Sequence, residues 1–190
     1  MTEAEGAVLR ARPTIYNGIQ MRSRLEARVA AWLDAERIAW EYEPNAFASP
    51  AGQYLPDFRL PAFTKSERFG GRDLYLEIKP TYQPDSVVAL MGRMDIIRAS
   101  LPTADLAIGF EPWLREGALL VRMSSLPWQS GIRLVRCPCG SLCIGDPWSQ
   151  VNGRRVIHSV CLSCWDDAYR DEEYTDRYVR LPDWRGATDA

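Results

Sequence analysis

The sequence predicts a mixed α/β core followed by a small cysteine-containing module. Short apolar strands alternate with two amphipathic helices up to about residue 130. All five cysteines lie in one window between Cys137 and Cys164. A chain of 190 residues that is 46% hydrophobic supplies one sizeable core and no second full domain. We therefore expect a core over residues 1–132, a module over 133–168 and an acidic C-terminal tail over 169–190.

The first part of the core is predicted to be a helix. Residues 1–20 contain Pro13 and Gly18 with little periodicity, which indicates an arm or a short lead-in strand. From Arg22 onward, apolar residues recur at helical spacing behind Ser23, a plausible cap. These residues are Leu25, Val29, Trp32 and Leu33. Glu26 lies beside this stripe, so we expect it to point from the helix rim toward a neighbouring sheet.

Three strands are expected next. Residues 39–43 alternate aromatic and acidic side chains, a Ser/Pro/Gly connection follows over 46–53, and Asp57 lies in the second strand. A turn segment over 61–71 precedes the third strand, residues 74–79. Side chains alternate faces along a strand, so its apolar members point into the core and Tyr75, Glu77 and Lys79 share the other face.

A second helix and two strands complete the predicted core. Asp85 follows a break over 80–84 and is predicted to cap the helix. The helix carries an apolar stripe of Val87, Leu90, Met91, Met94, Ile97 and Leu101. Residues 106–110 and 118–121 are apolar and predict the last two strands.

Composition limits the possible chemistry. The net charge of −2 produces no global positive field that would indicate nucleic acid. The chain has an acidic start and no apolar run of about 18 residues, so we expect a soluble cytoplasmic protein with no membrane partner. The only histidine is His158, and residues 1–136 therefore contain neither a histidine base nor a cysteine nucleophile.

Two acids on apolar strands form a candidate metal site. Ionised Asp57 and Glu77 are costly to bury unless a partner such as a cation compensates them. Mg²⁺ or Mn²⁺ prefers oxygen ligands, and the carbonyl of Ile78 could be a third. Lys79 lies on the face of Glu77, where its ammonium could orient water or stabilise charge on a phosphate. The alternative is that Glu77 and Lys79 form a solvated strand face and Asp57 belongs to a turn.

These residues resemble a known pattern. Pro56-Asp57, then Glu77-Ile78-Lys79, preceded by a helical Glu26, resemble the PD-(D/E)xK nuclease superfamily over about residues 15–122. The resemblance implies a restriction-endonuclease-like mixed sheet flanked by helices. It implies Asp57 and Glu77 as metal ligands, Lys79 as the catalytic lysine and Glu26 as an additional acid. The expected activity is metal-dependent hydrolysis of DNA phosphodiester bonds by an endonuclease.

Several basic residues are candidates for DNA contact. Arg22 and Arg24 could bind phosphates, but ion pairs of these residues with Glu26 or Asp34 are an equal alternative. The loop between the two site strands carries a second group, for which simple solvation is the alternative. That group is Lys65, Arg68 and Arg72.

The cysteine window predicts a structural zinc site. Structural zinc takes four Cys or His ligands from two knuckles. Cys161 and Cys164 have the usual spacing, whereas Cys137 and Cys139 resemble a zinc-ribbon knuckle shortened by one residue. Cys143 or His158 could therefore replace one member of the first pair.

The predicted role of the module is to fold residues 134–168 and present Arg154 and Arg155 to DNA from a hairpin at Asn152 and Gly153. Docking on a protein partner is the alternative. The acidic segment 166–176 is expected to be a solvated helix. The competing interpretation of the whole chain is a non-catalytic adaptor for nucleic acid or protein that acts through the zinc module.

Overall fold

A computed structural model describes most of the chain between residues 11 and 171. The described ranges are 11–50, 52–64, 72–116, 118–122, 128–136, 142–151, 154–160 and 167–171. Side chains are described within these ranges up to Trp128, apart from Thr64. Within this part of the chain, no helix is both long enough and apolar enough to cross a membrane.

Three helices and thirteen strands make up the described fold. In chain order they are β1 Thr14–Tyr16, β2 Ile19–Met21, α1 Arg24–Ala35, β3 Glu41–Tyr42, β4 Phe47–Ser49, β5 Gly52–Tyr54, β6 Phe58–Thr64, β7 Arg72–Lys79, α2 Pro84–Ser100, β8 Asp105–Phe110, α3 Glu111–Leu114, β9 Ala118–Arg122, β10 Gln129–Arg136, β11 Leu142–Val151, β12 Arg154–Val160 and β13 Asp167–Asp171. The predicted mixed α/β class is confirmed.

The centre of the fold is a mixed sheet in the order β3-β6-β7-β8-β9. Strands β7 and β8 are parallel, with α2 in the connection between them, and the other neighbours are antiparallel. Strands β10 to β13 continue the sheet as an antiparallel meander. Two short hairpins, β1-β2 and β4-β5, are not hydrogen-bonded to this sheet.

The two faces of β7 enter two different cores, as the alternation predicts. One core combines Leu74, Leu76 and Ile78 with the apolar stripe of α1, including the fully buried Val29 and Leu33. The second core combines Tyr75 with buried residues of α2 and with Leu106, Ile108 and Phe110 of β8. Glu77 and Lys79 therefore lie on the α2 face.

Four local predictions were wrong. Gln83 is the N-cap of α2 with Pro84 following it, whereas Asp85 lies inside the first turn. The predicted connection 46–53 contains the β4-β5 hairpin, and β6 continues to Thr64 into the predicted turn. Residues 167–171 form a strand paired with β12 in place of the predicted helix, because the antiparallel ladder supplies their backbone partners.

The cysteine module is only partly described. Strand β10 spans the predicted boundary between residues 132 and 133 and pairs with both β9 and β11. Val151 pairs with Arg154, as the predicted hairpin requires. The backbones of Cys143 and His158 lie in β11 and β12. The other four cysteines lie outside the described residues: Cys137, Cys139, Cys161 and Cys164.

Candidate active site

Asp57 lies one residue before β6, at the point where β6 and β7 separate. Phe58 pairs with Leu76, so the next step of this antiparallel register places Asp57 opposite Glu77. The side chain is 1% exposed. Its Oδ2 accepts the backbone N–H of Ile78 at 2.7 Å. The carboxylate therefore accepts a hydrogen bond that a backbone carbonyl of the neighbouring strand would otherwise accept. The predicted strand position of Asp57 is thus displaced by one residue, and its proximity to Glu77 is confirmed.

Glu77 is buried and held from two sides. Its Oε1 accepts a charge-assisted hydrogen bond from Lys79 Nζ at 2.5 Å, and its Oε2 accepts one from the Tyr54 hydroxyl. Burial and the neighbouring Glu77 charge raise the pKa of Tyr54, so the phenol remains a donor at all working pH values. The contact with Lys79 confirms that the two residues share one strand face, and burial of Glu77 excludes a fully solvated face.

Glu26 is fixed by the start of α1. The Ser23 Oγ accepts the Glu26 backbone N–H at 3.2 Å and donates to Glu26 Oε1 at 2.9 Å. Glu26 Oε2 accepts the Tyr42 hydroxyl at 2.5 Å. Burial and this hydrogen bond raise the pKa of Tyr42 to about 12. The predicted cap and the inward direction of Glu26 are both confirmed.

Arg22 connects the helix acid to the strand acid. Its Nη2 contacts Asp57 Oδ1, and its Nε lies 2.8 Å from Glu43 Oε1 and 4.0 Å from Glu26 Oε2. The alternative of an ion pair with Glu26 is therefore confirmed. Arg22 supplies positive charge at the centre of three carboxylates, where it offsets part of their repulsion.

The surroundings of Asp57 shift its pKa. Burial, and secondly the charge of Glu77, raise the pKa of Asp57 to about 7, while Lys79 and the Ile78 N–H act in the opposite direction. A cation bound between the two carboxylates would favour the ionised form of both.

The donor set fits a hard divalent cation. Carboxylate and carbonyl oxygens are the ligands that Mg²⁺ and Mn²⁺ prefer. Each oxygen of Asp57 and Glu77 already accepts one protein donor, but an ionised carboxylate offers about four acceptor positions. In the described part of the chain, no group of three or more His, Cys, Asp or Glu side chains is arranged to hold a metal. Such a site would therefore use two carboxylates, and the carbonyl of Ile78 as third ligand stays a prediction.

The remaining basic residues lie elsewhere or outside the described residues. Arg72 begins β7, and its Nε lies 3.8 Å from Asp105 Oδ2 at the opposite end of the strand from Lys79. Arg24 is exposed in the first turn of α1. Arg154 and Arg155 lie in β12, and their side chains are not described. Lys65 and Arg68 lie outside the described residues.

Sequence reasoning missed three residues of the cluster. Glu43 and Tyr42 belong to the alternating aromatic and acidic segment, whose pattern predicts a strand and gives no sign of contact with Glu26 or Arg22. Tyr54 comes shortly before Asp57, and only the β4-β5 hairpin directs its hydroxyl toward Glu77. A buried acid between two strands requires donors, and the neighbouring tyrosines were the available signal.

Comparisons with known proteins give no assignment. No protein-family profile matches the chain, and no curated protein matches it significantly. A function must therefore be argued from the site.

Proposed function

We propose that this chain is a Mg²⁺- or Mn²⁺-dependent deoxyribonuclease of the PD-(D/E)xK type, with a restriction-endonuclease-like core and a C-terminal zinc-binding module. One observation carries the proposal. Two buried carboxylates, Asp57 and Glu77, lie opposite each other where β6 begins and β7 ends, beside Lys79. These are the residues of the motif, and Glu26 faces them from α1.

The proposed chemistry divides between a cation and five side chains. A divalent cation held by Asp57 and Glu77 would supply a Lewis acid for the phosphoryl oxygen and would lower the pKa of water. The Lys79 ammonium contacts Glu77, and its side chain is 37% exposed and so accessible to a substrate phosphate. It would donate to the attacking water or to the phosphate as negative charge develops. Tyr54 orients Glu77, and Arg22 balances charge on Asp57.

The meander supports the zinc part of the proposal. Cys137 and Cys139 follow β10, while Cys161 and Cys164 follow β12. Consecutive antiparallel strands place Arg136 and Val160, the last residues of β10 and β12, at the same end of the sheet. Two knuckles at one end of a sheet are what a four-ligand site requires. We expect about one zinc per chain, and metal analysis showing less than about half an equivalent would count against this site.

Cleavage of supercoiled plasmid tests the assignment. The wild-type chain is expected to nick plasmid with Mg²⁺ or Mn²⁺ and to lose this activity with EDTA. Asp57→Asn and Lys79→Ala are expected to remove it, whereas Arg59→Gln, on the same sheet away from the site, is the matched control. Cleavage that survives both site substitutions would show that the assigned residues are wrong.

The adaptor remains the second candidate because the cluster is also a closed polar network. Arg22, the Ile78 N–H, Lys79 and Tyr54 between them satisfy both acids without a ligand. A purely structural network would have the same contacts. If no DNA or RNA form is cleaved with any divalent cation, while the chain binds nucleic acid or protein through residues 133–168, the adaptor is correct.

A further inference from the structure

A pocket opens directly beside the candidate active site. It has a volume of about 280 Å³ and lies where the chain leaves β7 and enters α2. Its lining residues come from the end of β7, the start and first turns of α2, and the end of β8. They are Lys79, Pro80, Thr81, Gln83, Ser86, Val87, Leu90, Arg93 and Phe110.

Two cations line the pocket. They are Lys79 and Arg93, and among the described residues the lining contains no acidic side chain. Lys79 also donates to Glu77, so the pocket adjoins the acid cluster. Two cations in one lining can attract an anion.

Part of the pocket lining is apolar, and one of its residues contacts the half-exposed Tyr82 ring. Val87, Leu90 and Phe110 form this apolar wall. Phe110 contacts the Tyr82 ring edge-on, with centroids 5.2 Å apart. Tyr82 in turn stacks on Trp113 at 5.0 Å with an interplanar angle of 21°. The Tyr82 residue is 46% exposed although one face of its ring is packed. A half-exposed, supported ring of this kind is a stacking platform for a planar group.

Polar groups of the pocket are also preorganised. Ser86, Leu90 and Arg93 are spaced along one face of α2, which points toward the pocket. Ser86 Oγ donates to Gln83 Oε1 at 3.3 Å, which leaves the amide NH₂ of Gln83 as a donor. The lining thus offers cations, neutral donors and an apolar wall, the combination that recognises a phosphate attached to a sugar and a base.

We propose that this pocket receives one unpaired nucleotide of the DNA strand being cut. Its phosphate would lie between Lys79 and Arg93, and its base would rest on the apolar wall and the Tyr82 ring. The volume is near the lower end of the range for small-molecule sites, roughly 300–1,000 Å³, which suits one nucleotide. A base that lies in the pocket would be unpaired. The inference rests on the proposed nuclease and sharpens its substrate to DNA that is single-stranded or locally unpaired beside the cleaved bond.

The test measures binding and cleavage separately with the full chain. Binding is measured by fluorescence anisotropy in EDTA, comparing a labelled single-stranded oligonucleotide with a blunt hairpin duplex of equal phosphate number. We expect the wild-type chain to favour the single strand by about tenfold or more. Tyr82→Ala should weaken single-strand binding by roughly 5- to 100-fold, since stacking on an aromatic ring is a main source of such affinity. Tyr82→Phe, which keeps the ring, should retain it.

A matched pair of arginine variants tests the contribution of charge to DNA binding. Arg93→Gln should reduce single-strand affinity and lower the slope of log affinity against log salt by about 0.7, the value for one phosphate contact on a single strand. Arg98→Gln removes a cation from the same helix, outside the pocket lining, and should leave the slope unchanged. Equal binding of both DNA forms, or no measurable binding by the wild type, overturns the proposal. So does a Tyr82→Ala variant that binds like wild type.

Failure of the pocket and failure of the nuclease give different results. If the wild type cleaves DNA in Mn²⁺ but Tyr82→Ala and Arg93→Gln leave both affinity and KM unchanged, the pocket proposal is wrong and the nuclease stands. If single-strand preference is present and depends on Tyr82 and Arg93 but no DNA form is cleaved, the nucleotide pocket is supported and the nuclease is wrong.

Discussion

Both ends of β7 place acids beside cations. They differ in the pairing of charges, because two carboxylates lie opposite each other at one end, whereas at the other end each acid lies beside an arginine. At the start of the strand, Arg59 lies between Glu41 and Asp73 with contacts of 2.9 and 2.8 Å, and Arg72 approaches Asp105. At its end, two carboxylates, Asp57 and Glu77, face each other across the ladder.

The difference separates ordinary ion pairing from the arrangement proposed to be functional. Hydrogen bonds from Arg59 to Glu41 and Asp73 raise the pKa of Arg59, which is the usual result of stable pairing. At the other end, burial and the adjacent acid raise the pKa of Asp57 to about 7. Acids that repel each other in a buried site lower stability unless a ligand compensates them, and such sites are commonly functional. The pocket of about 280 Å³ lies at this end.

The largest expected difference between the two ends concerns cleavage. Asp57→Asn and Glu77→Gln should each reduce the rate of plasmid nicking by about 10³-fold or more, since charge stabilisation at the phosphate is lost. Asp105→Asn, a matched change of a buried acid at the other end, should leave the rate within a few-fold. The comparison breaks down if Asp105→Asn is as damaging as Asp57→Asn in a folded protein, as judged by circular dichroism.

Removal of the Lys79 ammonium should give the next largest effect on the cleavage rate. Lys79→Ala should lower the cleavage rate by about 10²-fold because the donor to water or phosphate is removed. Lys79→Arg should recover only part of it, because guanidinium geometry differs from that of an ammonium. Arg59→Gln should change the rate little. Single-turnover rates at saturating Mn²⁺ measure this series, and equal losses for Lys79→Ala and Arg59→Gln would contradict it.

The affinity for Mn²⁺ should decrease as the pH is lowered. A cation binds the ionised carboxylate, so protons compete with it below the raised pKa of Asp57, about 7. We expect the affinity to fall up to about tenfold per pH unit as pH decreases below 7, and to change little above it. Calorimetric titration with Mn²⁺ between pH 5.5 and 8 measures this. Asp105→Asn should retain the profile, and an affinity that rises on acidification would refute the paired-acid site.

The smallest effect is on the stability of the metal-free protein. The pKa of Asp57 is higher in the folded chain than the ordinary value of about 3.9, so folding favours its protonated form. Its contribution to the free energy of unfolding therefore decreases as pH rises from about 4 through 7. Asp57→Asn should raise Tm at pH 8, by roughly 2–4 °C for about 1 kcal/mol, and less at pH 5.

Thermal unfolding in EDTA at the two pH values checks this prediction. Arg59→Gln is the contrasting variant, because it breaks an ordinary ion-pair group and should lower Tm at both pH values. A lower Tm for Asp57→Asn at pH 8 would mean that the pair with Arg22 outweighs the repulsion from Glu77.

Much of the core could be predicted because local pattern and tertiary packing agree there. The stripe of α1, the cap at Ser23 and the alternation of β7 all match the structure. The fold could be predicted less well where short polar segments gain structure only from neighbours. Phe47 in the β4-β5 hairpin packs edge-on against Tyr75 at 5.2 Å, a contact between residues distant in sequence.

The residues of the candidate site could likewise be predicted only in part. Glu26, Asp57, Glu77 and Lys79 were recognisable because charged groups interrupt apolar periodicity. The tyrosines that hold them were not, since Tyr42 and Tyr54 reach their partners through tertiary contacts. Of the Arg22 contacts, the pair with Glu26 was predicted and the contact with Asp57 was not. Residues 167–171 show the opposite error, in which an acidic segment was assigned a helix although β12 offered a strand edge.

The hydrogen bond from the Ile78 amide to Asp57 has a spectroscopic consequence. An amide proton donated to a carboxylate resonates at a different frequency from one donated to the protonated acid. A single peak in a ¹H–¹⁵N NMR spectrum should therefore move as Asp57 titrates and move again when a cation binds. Selective ¹⁵N-isoleucine labelling would turn the backbone of β7 into an internal indicator of charge at the site, readable without any nucleic acid present.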